Sequence, residues 1–230
     1  MVLVLVYQCV LEQLKLKMNC SKIYITGSSG FSEEVAFAVK RTYGNKINII
    51  FIENNKNTIG TVSSSGIEKI LENILKKIKD PNVLITISDP LIRKQIVLKY
   101  KEFNKYVNFP NFLDSSLILE NKSLEIGIGN IILHNTIITT NVFIGDFNII
   151  NSYSGIGHNT KIGSYNTFNP RVAISGNVSV GNQNIFGMNS GILQNKNILD
   201  NNSIWINSII TRNYKSGNTL FGVPAKKILI

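Results

Sequence analysis

The sequence predicts two successive architectures: a small α/β domain with a parallel sheet, and then a parallel β-helix made of six-residue repeats. Two observations lead to this prediction. In the first half of the chain, apolar strands alternate with amphipathic helices, which is the pattern of parallel βαβ units. In the second half an apolar residue recurs at every sixth position, and a short fixed period is typical of stacked repeats.

The composition restricts the kinds of partner. The chain has 230 residues with 24 Lys and Arg against 14 Asp and Glu, and its formal charge of +10 suits an anionic partner such as a nucleotide or coenzyme A. The basic residues are scattered among Ile and Asn and form no stripe interleaved with aromatic residues, which argues against a nucleic-acid groove. Only Cys9 and Cys20 are present, without metal-ligand spacing, and this favours a reducing cytoplasm.

The first segment is an apolar run, MVLVLVYQCVLEQLKLK. Gln8 and Glu12 interrupt it, and neither a basic leading region nor a small-residue cleavage site accompanies it, so it predicts neither a signal peptide nor a membrane span. Met18 stands just before the first clear strand. We therefore interpret residues 1–21 as an N-terminal extension, of which residues 1–17 are an added segment or the product of an upstream start.

Residues 22–112 predict the α/β domain, with a small parallel Rossmann-like sheet. The expected elements are strand 22–27, helix 31–44, strand 46–54, helix 65–80, strand 82–89 and helix 90–103. In such sheets, ligands bind beyond the carboxyl ends of the strands. Gly27, Glu53 and Asp89 each stand at such an end, and we expect them in one cleft.

The turn after the first strand, GSSG, has two interpretations. It lacks the G-x-G-x-x-G spacing, so NAD binding is disfavoured. In the first interpretation, the N–H groups of the turn bind a phosphate or ribose at a helix N-terminus, and Glu53 accepts hydrogen bonds from a ribose or base. In the second, GSSG is simply a tight turn and Glu53 is a solvated acid. Asp89 and Arg93 either contact the base or pyrophosphate, or are a helix N-cap and a surface cation. The candidate turn residues are Gly27, Ser28, Ser29 and Gly30.

Residues 113–230 predict the β-helix. Three hexads form one triangular coil in which the repeated apolar residue points into a shared core, so residues eighteen apart lie directly above one another. In hexads counted from residue 125, the second position is apolar without interruption: Ile126, Ile132, Ile138, Ile144, Ile150, Ile156, Ile162, Phe168, Ile174, Val180, Phe186, Ile192, Ile198, Ile204 and Ile210.

This stacking gives His158 a specific neighbour. His158 occupies the outward-facing fourth position of its hexad, and the residue one coil above it is Gly176, whose backbone amide is not screened by a side chain. The next stack is all asparagine, and we interpret it as a structural ladder in which the side-chain amides bond up and down the stack. Its members are Asn141, Asn159, Asn177 and Asn195.

Six segments carry a resemblance to a known family: YITGSSGFSEEV, ISDPLIRKQI, GIGHNTKIG, AISGNVSVG, FGMNSGIL and FGVPAKKI. In this order and spacing, over residues 22–228, the chain resembles the sialic-acid and nucleotide-sugar acyltransferases with left-handed β-helices. It is most similar to the acetyl-CoA-dependent N-acetyltransferases of 4-amino-4,6-dideoxy sugars. The resemblance implies a left-handed parallel β-helix, a nucleotide-linked amino sugar held by the N-terminal domain, and a homotrimer with acetyl-CoA in the groove between adjacent β-helices.

The resemblance also implies roles for individual residues. His158 matches the general base, and Gly176 matches the residue whose N–H binds the thioester carbonyl. Two positions depart from the family: an acid usually follows the histidine, where this chain has Asn159, and a second histidine often stands where it has Thr167. Loss of the acid removes a carboxylate that would orient the imidazole and raise its basicity. Contacts with acetyl-CoA are implied for Ser175, Gly176, Gly187 and Lys226, of which the lysine is otherwise simply solvated.

The expected function is therefore that of an enzyme, an acetyl-CoA-dependent sugar N-acetyltransferase with catalytic residues His158, Asn159 and Gly176 and no metal. Two alternatives stay open: an O-acetyltransferase of a sialic acid or other sugar hydroxyl, and a non-catalytic scaffold that binds a sugar nucleotide. Zinc catalysis of the carbonic anhydrase kind needs three imidazoles at a subunit interface. His134 and His158 are the only histidines and fall on different faces of the β-helix. We expect no nucleic-acid partner and no membrane insertion, and a cytoplasmic location.

Overall fold

The computed structural model describes residues 21–229 except 45, 56, 58, 59, 121 and 122. The described residues form two compact units. The first contains the chain up to Ile87 together with Ile92–Ser115, and the second contains Ser88–Leu91 together with the chain from Ser116 onward. Both cysteines, and all but the last residue of the predicted N-terminal extension, lie outside the described residues.

The first unit contains the predicted parallel sheet. The sheet has the order β3-β2-β1-β4, and all of its neighbouring strands are parallel. Helix α1 buries Val35, Ala36 and Val39 on one face, which is the reason its apolar residues recur with a helical period. The elements are β1 (Lys22–Thr26), α1 (Gly30–Tyr43), β2 (Asn48–Glu53), β3 (Lys69–Leu71), β4 (Val83–Leu84), α2 (Pro90–Phe103) and β5 (Phe112–Leu113).

The predicted helix over residues 65–80 is wrong. This segment contains β3, which pairs in parallel with the edge of β2, and then a 3₁₀ helix over Glu72–Lys77. Ile67 and Leu75 are buried, whereas Ile74 is 40% exposed, so the apolar residues do not share the one buried face that an amphipathic helix needs. Pairing with the free backbone groups of β2 outweighs the helix propensity of this lysine- and isoleucine-rich segment.

The second unit is a parallel β-helix. From β7 to β21 its strands stack in register with partners eighteen positions apart, as Gly155 is paired to Ile137 and Ala173. The hairpin of β22 and β23 closes it. The strands are β6 (Ile118–Leu119), β7 (Leu124–Ile126), β8 (Ile131–Ile132), β9 (Ile137–Ile138), β10 (Val142–Ile144), β11 (Ile149–Ile150), β12 (Gly155–Ile156), β13 (Lys161–Ile162), β14 (Thr167–Phe168), β15 (Ala173–Ile174), β16 (Ser179–Val180), β17 (Ile185–Phe186), β18 (Gly191–Ile192), β19 (Asn197–Ile198), β20 (Ser203–Ile204), β21 (Ile209–Ile210), β22 (Thr219–Gly222) and β23 (Ala225–Ile228).

The core of the β-helix is formed by the predicted second hexad positions. From Ile132 to Ile210 every one of these residues is at most 3% exposed, and Phe168 and Phe186 stack with their ring centroids 4.8 Å apart. Ile126, in the first coil, is only half-buried. The six-residue period therefore predicted the core correctly, because each coil needs one inward apolar residue per side.

The corners of the coils use left-handed backbone. Every sixth residue from Asn135 to Asn207 has a φ between 54° and 62°, although none of them is glycine. Asparagine tolerates this region better than most residues, because its short polar side chain can hydrogen-bond locally. Asparagine accordingly occupies most of these corners, and the predicted stack of Asn141 and Asn159 is one of them.

The asparagine ladder lies at a different hexad position from the one predicted. In the predicted corner stack only Asn141 and Asn159 are joined by their side chains, and all four members are exposed to solvent. A continuous ladder runs instead through buried asparagines, in which each backbone N–H and side-chain amide donates to Oδ1 of the asparagine one coil earlier. Its members are Asn130, Asn148, Asn166, Asn184 and Asn202.

Candidate active site

His158 lies at the corner between β12 and β13, one residue before the left-handed corner residue Asn159. Its imidazole is exposed and lies against Gly176, as the stacking predicts. A Cβ atom added to Gly176 would lie 2.6 Å from Cε1 and 2.9 Å from Cδ2 of His158, and closer still to Nε2. Only glycine therefore leaves room for the ring in this position, and the ring in turn buries Gly176.

The backbone N–H of Gly176 has no hydrogen-bond acceptor within the described part of the chain. At a second corner, the corresponding amides are occupied. The N–H groups of Asp146, Ser164 and Asn182 each donate to a side-chain oxygen one coil later, over 2.9, 2.8 and 2.6 Å. Because Gly176 is buried and its N–H is unpaired, this corner favours an acceptor atom supplied by a ligand.

The imidazole of His158 has a neutral partner and not the carboxylate that the resemblance implies. Nδ1 of His158 lies 3.0 Å from Nδ2 of Asn159. Oδ1 of Asn159 in turn accepts a hydrogen bond of 3.0 Å from Nδ2 of Asn141, one coil earlier. Sequence reasoning assigned Asn141 to a structural ladder and missed its link to the histidine, although the spacing of eighteen residues was the available signal.

A concave surface of about 700 Å³ adjoins these amides. It combines an aromatic side chain with one acidic and one basic group, because Glu125, Phe143 and Lys161 face outward at paired positions of β7, β10 and β13. Such a surface can hold a polar ligand with an apolar part beside Asn159, the neighbour of the imidazole. Its lining residues are Ser123, Glu125, Asn141, Val142, Phe143, Asn159 and Lys161.

His134 and Thr167 both pack against other residues of the protein. His134 follows β8 on a different face from His158, as predicted, and stacks edge-on against Tyr153 at 5.5 Å between ring centroids. Thr167 is buried, and its hydroxyl donates a hydrogen bond of 2.6 Å to the carbonyl oxygen of Ser88. A side chain at position 167 is therefore enclosed in this protein and is not presented at the surface.

The residues predicted to contact acetyl-CoA belong to two faces of the β-helix, since Ser175 and Gly176 follow β15, whereas Gly187 follows β17 in another sheet. Ser175 is half-buried, with its backbone N–H bonded to Ile192 and its carbonyl accepting from Thr160. Gly187 packs closely against the following coil, since an added Cβ would lie 2.7 Å from the carbonyl carbon of Trp205. Lys226 is exposed on β23. These positions remain predictions as ligand contacts.

The first unit brings the candidate turn and Glu53 together. Gly27 adopts a φ of 71°, which glycine accommodates without strain, and the hydroxyl of Ser28 donates a 2.5 Å hydrogen bond to Oε1 of Glu53. Ser29 is the N-cap residue of α1, and Gly30 is its first residue. The turn and the acid thus share one edge of the sheet, beyond the carboxyl ends of β1 and β2.

A second acid stands close to this turn. Burial raises the pKa of the Glu33 carboxyl, but hydrogen bonds from Ser65, Ser63 and Ser64 outweigh this effect and lower the pKa below its usual value. Glu33 lies in the first turn of α1, so its negative charge is close to the positive end of the helix dipole. The charge of Glu33 therefore already offsets part of the positive potential at the start of α1 that would attract a phosphate.

Asp89 and Arg93 differ from each other in environment. Oδ1 of Asp89 accepts a 2.9 Å hydrogen bond from the N–H of Leu91, so Asp89 does act as a cap at the start of α2. The alternative of a surface cation is wrong for Arg93, which is 1% exposed and donates from Nη1 to the carbonyl oxygen of Ile87 over 2.6 Å. A buried guanidinium needs such acceptors, because an unpaired buried charge is costly. Binding of substrate by either residue remains a prediction.

The described residues contain neither a cluster of metal-ligating side chains nor a helix that could span a membrane. Among them, no group of three or more His, Cys, Asp and Glu side chains is arranged to hold a metal ion. Neither α1 nor α2 is long and apolar enough to cross a bilayer, and the same holds for every other helix in the described ranges.

Neither a protein-family model nor a curated protein matches the sequence. Solved structures do match it. The acetyltransferase domain of PglB from Neisseria gonorrhoeae aligns with a TM-score of 0.81 at 19% identity, covering 91% of this chain and 100% of that domain. A variant of perosamine N-acetyltransferase from Caulobacter crescentus, in complex with CoA and GDP-perosamine, aligns with a TM-score of 0.81 at 18% identity over 91% and 97% of the two chains. The chain has the left-handed β-helix fold of these acetyltransferases.

WeeI from Acinetobacter baumannii shares the fold, with a TM-score of 0.66 at 23% identity over 90% of this chain and 100% of its own. The alignments span both the α/β unit and the β-helix, so the predicted fold class is confirmed. A fold hosts many functions, and the chemistry of this left-handed β-helix protein depends on its own residues.

Proposed function

We propose that the protein is an acetyl-CoA-dependent N-acetyltransferase that acetylates the 4-amino group of a nucleotide-linked 4-amino-4,6-dideoxy sugar. The observation that carries the proposal is the corner of His158 and Gly176. There an exposed imidazole lies beside an unpaired backbone N–H, which are a proton acceptor and an oxyanion donor for acyl transfer. Two proteins of the same fold support the choice of substrates, because one is described with acetyl coenzyme A and the other with CoA and GDP-perosamine.

The reaction proceeds by direct transfer. The neutral amine attacks the thioester carbonyl carbon and forms the C–N bond, while the N–H of Gly176 stabilises the negative charge that develops on the carbonyl oxygen. His158 accepts the proton that the amine nitrogen loses. The C–S bond then breaks, and the sulfur leaves with the bonding pair and takes up a proton as the free thiol. Free imidazole titrates near neutral pH, which suits it to this exchange.

The proposal assigns the remaining predicted residues to binding. The N-terminal turn, Glu53 and the start of α2 hold the nucleotide sugar, and positions along the β-helix hold the acetyl donor in a groove between subunits of a homotrimer. The substrate residues are Gly27, Ser28, Ser29, Gly30, Glu53, Asp89 and Arg93. The donor residues are Ser175, Gly176, Gly187 and Lys226.

A thiol-release assay tests the activity. UDP-, GDP- and dTDP-linked 4-amino-4,6-dideoxy sugars are each mixed with acetyl-CoA and protein, beside the corresponding 4-hydroxy sugars. We expect release with at least one amino sugar and none with its hydroxy counterpart. Release with the hydroxy sugar instead would identify an O-acetyltransferase, and absence of release with every sugar would favour a non-catalytic scaffold.

The variant His158→Ala tests the assigned base. We expect its kcat to fall by about 10² to 10⁴, the usual contribution of a general base, while KM for acetyl-CoA is unchanged. His134→Ala is the matched control, since His134 stacks on Tyr153 at another corner. Full turnover in folded His158→Ala protein would remove the catalytic assignment.

A further inference from the structure

A chain of two hydrogen bonds leads to the imidazole of His158. Nδ2 of Asn141 donates to Oδ1 of Asn159 over 3.0 Å, and Nδ2 of Asn159 lies 3.0 Å from Nδ1 of the ring. Because Oδ1 of Asn159 is occupied by Asn141, the amino end of the Asn159 amide faces the ring. An amide N–H can only donate, so Nδ1 accepts and the proton of a neutral ring lies on Nε2.

The link between amides and ring is specific to this corner. Asn177 and Asn195 continue the same stack, yet their side chains form no hydrogen bond within the described residues. Asn189 and Asn207 form a similar pair at another corner, 3.2 Å between Nδ2 and Oδ1, without an adjoining histidine. The charged groups on the neighbouring strands are Glu125 and Lys161, and neither forms an ion pair in the described part of the chain.

We propose that Asn141 and Asn159 are a neutral positioning pair that determines which nitrogen of His158 carries the proton. With the amides as they stand, Nε2 is a donor. If the side-chain amides of Asn141 and Asn159 both rotate by about 180°, Oδ1 of Asn159 accepts from Nδ1–H of His158, and Nδ2 of Asn159 donates to Oδ1 of Asn141. The proton of the neutral ring is then on Nδ1, and Nε2 of His158 becomes a proton acceptor. Both arrangements contain two hydrogen bonds, so an amine that donates to Nε2 selects the arrangement in which the ring is a base. A carboxylate next to the ring would allow only the second arrangement.

The position of the proton is measurable without any activity. Protein with ¹⁵N-labelled histidine, carrying His134→Gln so that only His158 reports, is studied by NMR above the titration range of the ring. We expect a protonated Nε2 and an unprotonated Nδ1 in the absence of substrate, and the reverse in the Asn159→Asp variant. A protonated Nδ1 with Asn159 in place, or a spectrum that Asn159→Ala leaves unchanged, would overturn the inference.

Kinetics test the consequence of the pair for catalysis, which rests on the proposed acetyl transfer. We expect Asn159→Ala to lower kcat about 10- to 100-fold with KM for acetyl-CoA unchanged, as is usual when the group that orients a histidine is removed. Asn141→Ala should lower kcat less, and should have no further effect in the Asn159→Ala background, because Asn141 acts only through Asn159. Equal effects of Asn141→Ala in both backgrounds would contradict this.

The control and the pH profile separate positioning from structure. Asn189→Ala and Asn207→Ala place alanine at corners with φ of 58°, close to the 55° of Asn141 and Asn159, so they report the backbone cost alone. Asn159→Asp should move the acidic limb of the kcat/KM profile to higher pH, since a carboxylate stabilises the imidazolium. An unmoved limb counts against the inference. If the wild-type protein transfers no acetyl group to any sugar, the proposed function fails, and the NMR experiment still decides the inference.

Discussion

At the scale of single residues, glycine sets the geometry of the candidate site. Glycine at position 176 leaves room for the imidazole of His158 against the coil above, and the N–H of Gly176 has no acceptor among the described residues. In a second corner of the same coils, polar side chains occupy the corresponding amides. The absence of a side chain at position 176 thus creates the space for the ring, while the N–H of Gly176 is free because the side chain one coil later, Gln194, does not accept from it among the described residues.

This geometry predicts the behaviour of Gly176→Ala. The added methyl group keeps the backbone N–H but collides with Nε2, so the imidazole must move. We expect kcat for acetyl transfer to fall about a hundredfold, the usual effect of displacing a catalytic group by about 1 Å. Steady-state kinetics on the amino sugar found in the screen measure it. Gly155→Ala is the control, since a Cβ there would meet nothing within 4 Å; equal activities of the two variants would contradict the role of close packing.

At the scale of secondary-structure elements, two features of the hexad keep the coils in register. The left-handed corner is repeated every six residues, and the buried asparagine ladder ties each coil to the next through backbone and side-chain hydrogen bonds. The α/β unit lacks such a repeat, and there the sequence pattern was ambiguous. Residues 65–80 have the composition of a helix, but Lys69–Leu71 form a strand because they pair with the free backbone groups at the edge of β2.

The ladder predicts a large cost for Asn166→Ala. The side chain of Asn166 donates to Asn148 and to the carbonyl of Gly181, and it accepts from the backbone and side chain of Asn184. Alanine leaves these buried partners unsatisfied, at about 1–3 kcal/mol for each such group, so we expect the free energy of unfolding to fall by about 3 kcal/mol. Chemical denaturation measures it.

Asn197→Ala is the comparison for this experiment. Asn197 is an exposed strand residue of the same β-helix, and we expect its replacement to change the free energy of unfolding by less than about 0.5 kcal/mol. Similar midpoints and slopes for Asn166→Ala and Asn197→Ala would show that the ladder contributes no stability of its own.

At the scale of the whole molecule, the β-helix exposes apolar residues on its outer faces. Ile118 and Ile137 are paired on β6 and β9 and are 58% and 43% exposed. Paired apolar side chains of this kind are typical of surfaces that another subunit covers. They support the predicted trimer, in which three copies related by a closed rotation cover one another's faces.

Sedimentation velocity tests this prediction. We expect a species of three times the 25.6 kDa chain mass for the wild-type protein, and a smaller species for the double variant Ile118→Lys, Ile137→Lys, because burying two lysines in an interface is unfavourable. Phe37→Lys is the control, since Phe37 is 68% exposed on α1 of the other unit. A monomeric wild-type protein would contradict the trimer.

The sequence by itself determined the two architectures, the inward positions of the β-helix and the stacking of Gly176 on His158. A period of six is a local property, and once three hexads make a coil, the neighbours of every residue follow from its number. Only the tertiary structure decided that Arg93 is buried and that Asn166 and its counterparts form the buried asparagine ladder. It also decided that Asn141 is linked to His158 through Asn159. These depend on the direction of each side chain and on which acceptors are left free, and the packing of the folded chain sets both.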